Sequence, residues 1–238
     1  MNAVPFTVAI LAGGLATRLR PLTSDQPKAL IRIAGKPFIQ LQLELLMQKG
    51  VHRVVLCLGH MAESIVDVVE KNSGFGLEIT YSYDGPVPLG TGGSIRKAVP
   101  LLPDTFLVLY GDSYLDCDYN GIAGHFLEIP EPALMTVYRN EDQWDQSNVE
   151  FWDGRILAYN KTARTPSMKY IDYGLGAFRK SVFDALPENT PLDLASIYQD
   201  LVRANLLAGI EVFQRFYEIG SQKGIEEFQR YFEQRSTL

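Results

Sequence analysis

Residues 11–30, LAGGLATRLRPLTSDQPKAL, place two glycines, an arginine and a lysine directly after an apolar run. That combination is built for phosphate: Gly13 and Gly14 allow close backbone approach and expose N–H groups to anionic oxygens, while Arg18 and Lys28 supply fixed positive charge. The familiar nucleotide motifs do not fit, because the chain has no GxxxxGK(S/T), and GGLATR lacks the third glycine and the helix entry of GxGxxG. A P-loop ATPase and a hydride-transferring enzyme therefore lose support. A second candidate is PVPLGTGGSIRKA, from Pro86, where Gly90, Gly92 and Gly93 precede a helix and let a flat base lie against backbone. The competing reading there is a glycine-rich helix entry with no ligand. No serine–histidine–aspartate arrangement is evident among His52, His60 and His125, each of which reads as a surface or packing residue.

These residues need a scaffold that brings loop ends together. Val4 to Leu11 is a short apolar run ending in Gly13-Gly14, the pattern of a buried parallel strand feeding a loop. Pro37 opens PFIQLQLELLMQKG, in which Phe38, Leu41, Leu45 and Gln48 share one helical face, Ile39, Leu43 and Leu46 widen it, and Gly50 provides a stop. The rhythm repeats as VVLCL, a helix through Ile65, Val66 and Val69, LEITYSY, a helix through Ile95 and Ala98, and FLVLYGD. Such alternation predicts an α/β fold: a Rossmann-like, mostly parallel sheet with helices on both faces and ligands at the carboxyl ends of its strands. From Ala133 the pattern changes to ALMTVYR, NVEFWDG, RILAYNK and YGLGAFR, a smaller antiparallel or mixed extension suited to a second ligand. LDLASIYQDLV and KGIEEFQRYFEQ read as helices flanking an extended GIEVFQRFYEIG.

The 238 residues, 46% hydrophobic, suffice for one domain, with residues up to about 130 holding a nucleotide and the remainder, to 238, a second substrate and the last helices. A net charge of −6 disfavours a nucleic-acid groove, so any phosphate site must be local. Cys57 and Cys117 lack a zinc spacing or disulfide framework and read as reduced packing residues. With no basic start before a long apolar stretch and no run of about 18 apolar residues, the expectation is a cytoplasmic protein without a membrane partner. A homo-oligomer is compatible with the sequence and not read from it.

Residues 11–30 resemble the signature LAGGxGTRLxPLTxxxPKxL of the sugar-1-phosphate nucleotidyltransferases. Further similar segments, VPLGTGGSIRKA, LYGDSYLD, NVEF, YNK, YGLGAF and FYEIG, fall in family order, and the chain is similar to the short heptose- and mannose-1-phosphate guanylyltransferase branch. The resemblance implies joining of a nucleoside triphosphate to a sugar 1-phosphate with release of pyrophosphate. It implies that Leu11, Ala12, Gly13, Gly14, Leu89, Gly90 and Thr91 hold the nucleotide, that Arg18 neutralises charge at the attacked phosphorus, and that Lys28 holds the incoming phosphate. Asn148, Lys161, Tyr173 and Gly174 match positions facing the sugar phosphate, and Asp112 and Glu218 match the carboxylates that bind Mg²⁺. An acceptor phosphate is already ionised at neutral pH, so this chemistry calls for charge neutralisation rather than a general base.

Three departures stand out: Ala16 replaces a glycine, Asn160-Lys161 replaces Glu-Lys, and Tyr217-Glu218-Ile219-Gly220-Ser221 stands where the family has YDIGT. Glutamate reaches one methylene farther than aspartate. Two other readings stay open: a cytidylyltransferase for an alcohol phosphate such as phosphocholine, its cage drawn from Trp144, Trp152, Tyr159 and Tyr170, and a non-catalytic nucleotide-sugar sensor. The chain ends soon after the catalytic-type region, so no appended acyltransferase or β-helix domain is expected.

Overall fold

The structure is a computed structural model and describes residues 6–14, 19 and 26–236. The first apolar run forms β1 (Thr7–Leu11), whose side chains are almost all buried, as expected of a strand covered on both faces. A short 3-10 turn at Lys28–Leu30 leads to a two-residue ribbon, β2 (Arg32–Ile33) with β3 (Lys36–Pro37), and then to α1 (Phe38–Gln48). Next come β4 (Arg53–Leu58), α2 (Ala62–Lys71), β5 (Glu78–Tyr83), α3 (Gly90–Ala98), β6 (Thr105–Tyr110), β7 (Ser113–Tyr114) and α4 (Tyr119–Glu128). The second half contributes β8 (Ala133–Arg139), β9 (Val149–Trp152), β10 (Arg155–Tyr159), β11 (Tyr170–Arg179), α5 (Ser181–Asp184), α6 (Leu194–Arg203), β12 (Leu207–Glu211), β13 (Tyr217–Glu218) and α7 (Gln222–Ser236).

One sheet runs through both halves, in the order β5-β4-β1-β6-β11-β8-β12-β10-β9. Its first four strands are parallel, with β1 between β4 and β6. β11 joins this block antiparallel to β6, so the mixed part expected from Ala133 onward is a continuation of the same sheet. β12 lies parallel to β8, and β10 and β9 close the far edge antiparallel.

Each face carries a core. Ile39, Leu43 and Leu46 of α1, with α2 and α4, cover one face, while Ile95 of α3, Phe183 of α5 and Ile197 of α6 cover the other. Phe38, Leu41 and Leu45 project from the remaining side of α1 into a third cluster with Ile219 and with Ile225 and Phe228 of α7. The wide apolar surface of α1 thus serves two cores. The third one clamps α7 and β13 onto the carboxyl end of the parallel strands. At that end Gly111 follows β6, its N–H donating to the Leu11 carbonyl at 3.1 Å. A Cβ at Gly111 would collide with that carbonyl, so glycine is what lets the ends of β1 and β6 close together.

Candidate active site

Asp112 follows the end of β6, and two elements distant in sequence reach this residue. Lys28 enters from the 3-10 turn, and its Nζ donates to Asp112 Oδ2 at 2.7 Å. Glu218 arrives on β13, which pairs antiparallel with β7 so that Glu218 stands opposite Ser113, and the Ile219 N–H donates to the Asp112 carbonyl at 2.9 Å. The Lys28 and Asp112 side chains are 19% and 39% exposed, a half-buried pair that a phosphate can still reach. Arg18 and Ala16 lie outside the described residues.

Glu218 folds back onto its own loop. Its Oε2 accepts from the Gly220 N–H, and its Oε1 accepts from Ser221 Oγ at 3.0 Å. Burial pushes its carboxyl above the ordinary glutamate range, Ser221 and Gly220 pull back, and the nearby Asp112 charge adds to the rise while Lys28 opposes it. Ser221 Oγ also accepts from the Gly224 N–H at 3.0 Å, so the same loop caps α7. A Cβ at Gly220 would collide with the Glu218 carboxylate and lie 3.2 Å from Lys28 Nζ.

Two cavities meet at Lys28 and Asp112. One, of about 360 Å³, is lined by Leu11, Ala12, Gly13, Gly14, Asp84, Pro88, Gly90, Thr91, Tyr110 and Gly111. The other, of about 730 Å³, runs past Glu218 and Gly220 to Trp144 and Arg215. Its wall is stiffened by Arg215, whose guanidinium lies 3.3 Å from the Trp144 ring centroid and 4.6 Å from that of Tyr217 and which pairs with Glu227.

Most of the nucleotide candidates therefore line the smaller cavity. Leu89 does not: it is 2% exposed and packs beneath the loop. Thr91 lines it, but its hydroxyl is engaged, donating to Asp193 Oδ1 at 2.9 Å and accepting from the Leu194 N–H at 2.8 Å. Asp84 also lines this cavity; it is 7% exposed and accepts from Ser94 Oγ at 2.7 Å and from the Leu89 N–H at 3.3 Å. Sequence reasoning missed it. Its signal was a lone acid at the carboxyl end of β5, the edge where ligands bind.

The acceptor candidates divide in the same way. Lys161 Nζ lies 5.4 Å from the centroid of the Tyr110 ring. Gly174, at φ +99°, passes close to Ser113, and a Cβ there would sit 3.1 Å from Ser113 Oγ. Asn148 uses its Oδ1 to accept from the Asp172 N–H at 2.9 Å. Tyr173 points the other way, 1% exposed in the core with its ring edge on Phe216, because neighbours along a strand face opposite sides of the sheet. The side chain on the Lys161 side is Asp172, also missed from sequence. It accepts from the Gly174 N–H at 3.1 Å and from Tyr159 OH at 3.3 Å, and burial raises its carboxyl above the ordinary range against the pull of Lys161.

Among the described residues no three His, Cys, Asp or Glu side chains group to enclose a cation. Asp112 and Glu218 both line the larger cavity, and two carboxylates there offer the oxygen ligands that suit a hard divalent ion completing its shell with phosphate oxygens and water.

The chain matches the nucleotidyl transferase family over residues 7–230 and belongs to it. Its curated relatives include a UTP–glucose-1-phosphate uridylyltransferase of Synechocystis sp., 30% identical over 214 residues, covering 83% of this chain and 55% of the relative. The chain thus spans about half the length of that protein. A D-glycero-α-D-manno-heptose 1-phosphate guanylyltransferase of Campylobacter jejuni is 37% identical over 178 residues, covering 74% of this chain and 76% of the relative. Among solved structures, HddC from Yersinia pseudotuberculosis complexed with GMP-PN is similar with a TM-score of 0.80 and 25% identity, over 95% of this chain and 99% of HddC.

Proposed function

We propose that this protein transfers a guanylyl group from GTP to a hexose or heptose 1-phosphate, releasing pyrophosphate and forming a nucleotide sugar. The observation that carries the reading is the convergence of Lys28, Asp112 and Glu218 where two cavities meet. In this reading an acceptor phosphate oxygen attacks the α-phosphorus, the α–β phosphoanhydride bond breaks, and the electron pair leaves with pyrophosphate. Lys28 holds the acceptor phosphate, and Arg18 neutralises charge at the attacked phosphorus. Asp112 and Glu218 would hold Mg²⁺, which when bound supplies further charge neutralisation on the phosphates. Residues up to about 130 take the nucleotide, and Lys161, Asp172, Gly174 and Asn148 take the sugar phosphate.

The base assignment rests on Asp84. A carboxylate lining the nucleotide cavity can accept from the adjacent N1–H and N2–H groups of guanine, whereas uracil and thymine offer a single N–H flanked by two acceptors. The guanylyltransferase and the GMP-PN complex among the relatives support the same choice. A cage for a quaternary ammonium acceptor such as phosphocholine is disfavoured, since Arg215 already lies over the Trp144 ring, Tyr159 is buried in the core and Trp152 is 74% exposed. Charged substrates of this kind favour a cytoplasmic enzyme, and no described helix is long and apolar enough to cross a membrane.

Pyrophosphate release from GTP, UTP, CTP, ATP and dTTP, each with mannose, glucose, galactose or heptose 1-phosphate or phosphocholine, tests the proposal. GTP with one of the sugar phosphates is expected to lead. Asp84→Asn is expected to narrow the preference for GTP over UTP by roughly tenfold or more, the scale of a lost two-point base contact. No turnover with any pair overturns the functional reading, and a UTP or dTTP preference overturns the base assignment.

A further inference from the structure

The apolar surface of α1 contains one fully buried amide. Gln42 stands between Leu41, which enters the third core, and Leu43, which enters the first, and it is 1% exposed. Its Nε2 donates to the Ser113 carbonyl at 2.8 Å and to the Tyr110 carbonyl at 3.2 Å. Both partners are carbonyl oxygens, so the nitrogen of the amide must be the atom that faces them. Its Oε1 has no hydrogen-bond partner among the described residues. A methionine would fill the same space without burying an unpaired acceptor, so what the glutamine contributes is its two N–H groups.

The two carbonyls bracket Asp112. They belong to a stretch that the main sheet no longer holds, since β6 stays in register with β1 only as far as Tyr110 and with β11 only as far as Leu109. Beyond that point the Gly111 N–H donates to the Leu11 carbonyl and the Ile219 N–H to the Asp112 carbonyl. Because antiparallel pairs alternate, the bond at Asp112 leaves Ser113 and Glu218 as a non-hydrogen-bonded pair, with the Ser113 carbonyl turned away from β13 and toward Gln42. One side chain thus ties both ends of the turn that carries Asp112 to the middle of α1, a helix packed in two cores. Glu218 stands opposite Ser113, so the hold on Ser113 bears on the second carboxylate as well.

Resting on the proposed function, we infer that Gln42 is a positioning residue for the metal site, one that holds the turn from Tyr110 to Ser113 so that Asp112 and Glu218 are kept together on the wall of the larger cavity. It lines neither cavity and acts only through the backbone on either side of Asp112. Lys28, paired with Asp112 at 2.7 Å, depends on the same anchor.

The test compares the wild type with Gln42→Met and Gln42→Glu. Methionine keeps the length of the side chain without its donors, and glutamate keeps its shape while turning an acceptor toward two carbonyls. Three quantities are read: Mn²⁺ binding, the Mg²⁺ dependence of pyrophosphate release, and thermal melting. Binding is followed by the free-ion paramagnetic resonance signal with the protein saturated by an α,β-methylene analogue of GTP, corrected for Mn²⁺ held by the analogue alone. Each variant is expected to stay folded, to bind Mn²⁺ about tenfold more weakly and to need about tenfold more Mg²⁺ for half-maximal turnover, the lower end of what losing a group that orients a metal ligand does. Saturating Mg²⁺ should restore most of kcat, which a merely destabilised fold would not show. Wild-type Mn²⁺ affinity and an unshifted Mg²⁺ midpoint in every variant that folds overturn the inference. Loss of the fold in both variants overturns it too, because Gln42 would then serve the core alone. These outcomes leave the functional reading intact so long as the wild type turns over; absence of turnover with every substrate pair removes that reading and the inference with it.

Discussion

Gly220→Ala separates the chemistry of this site from the stability of its fold. Gly220 is not among the residues with positive φ, so alanine can adopt its backbone conformation without strain. The added methyl group would collide with the Glu218 carboxylate and come within 3.2 Å of Lys28 Nζ. Both obstacles are ends of flexible side chains, so they can move and the fold survives. What is lost is position: the Gly220 N–H no longer holds the carboxylate, and Lys28 is pushed from its 2.7 Å contact with Asp112. A hydrogen bond to a charged group contributes about 1.5–3 kcal/mol. If that amount is lost from the transition state, turnover falls roughly 10- to 150-fold.

Stability should change by no more than about 1 kcal/mol, which for a chain of this size shifts Tm by about 2–4 °C. Gly176→Ala is the complementary control. A Cβ there would collide with the Tyr198 hydroxyl and lie 3.1 Å from the Phe178 ring, deep in the core. Overpacking of this kind costs about 1–3 kcal/mol, lowering Tm with turnover per folded molecule intact. Pyrophosphate release and thermal melting on the same preparations read both quantities. Wild-type turnover in Gly220→Ala would refute the reasoning, since the Glu218 carboxylate would then have no part in the reaction.

Two further outcomes follow from the same geometry. Lys28→Ala and Asp112→Asn should each lower turnover by about a hundredfold or more while the protein stays folded; EDTA should abolish wild-type activity and Mg²⁺ or Mn²⁺ restore it, and near-normal rates in both variants would relocate the site. Asp172→Asn should raise the acceptor KM and flatten the acid side of the stability profile. Because burial raises the folded carboxyl above its unfolded value, the stability that this group contributes is fully present below the unfolded pKa and is lost as pH rises through the folded one. Melting from roughly pH 4 to 7, spanning the ordinary aspartate pKa near 3.9 upward, should therefore show the variant gaining on the wild type as pH rises, and parallel curves would contradict the assignment.

The parts that repeat were the legible ones. Alternation of apolar strand and helix foretold β1, β4, β5 and β6 and the helices between them, because a parallel sheet covered on both faces needs runs of buried residues at regular spacing. The phosphate loop and LYGD segment likewise led to Lys28 and Asp112, which the structure brings into contact. Asp84 and Asp172 were not legible, since a single acid carries no period and its role depends on which way a strand end faces. Tyr173 and Asp172 show how narrow the margin is. The pairing of β11 with β8 shifts register between Asp172 and Gly176, and a displacement of one residue exchanges the core face for the ligand face. Nothing in the string YIDYGLGAF announces that irregularity.

Glu218 is the departure with the clearest physical consequence. A longer side chain at this point needs room, and the loop supplies it: Cβ atoms at Gly220 and Gly224 would both intrude on Glu218. Ser221 then binds the extended carboxylate while its own oxygen caps α7, so the extra methylene is matched by three neighbouring residues rather than merely tolerated. A shorter aspartate at 218 would retract from Ser221 and leave space beside Gly220. Shape and charge at this position are therefore tied together: the loop that starts α7 also sets how far the second carboxylate stands from Asp112. This is why a methyl group at Gly220 should cost activity and a methyl group at Gly176 should cost stability.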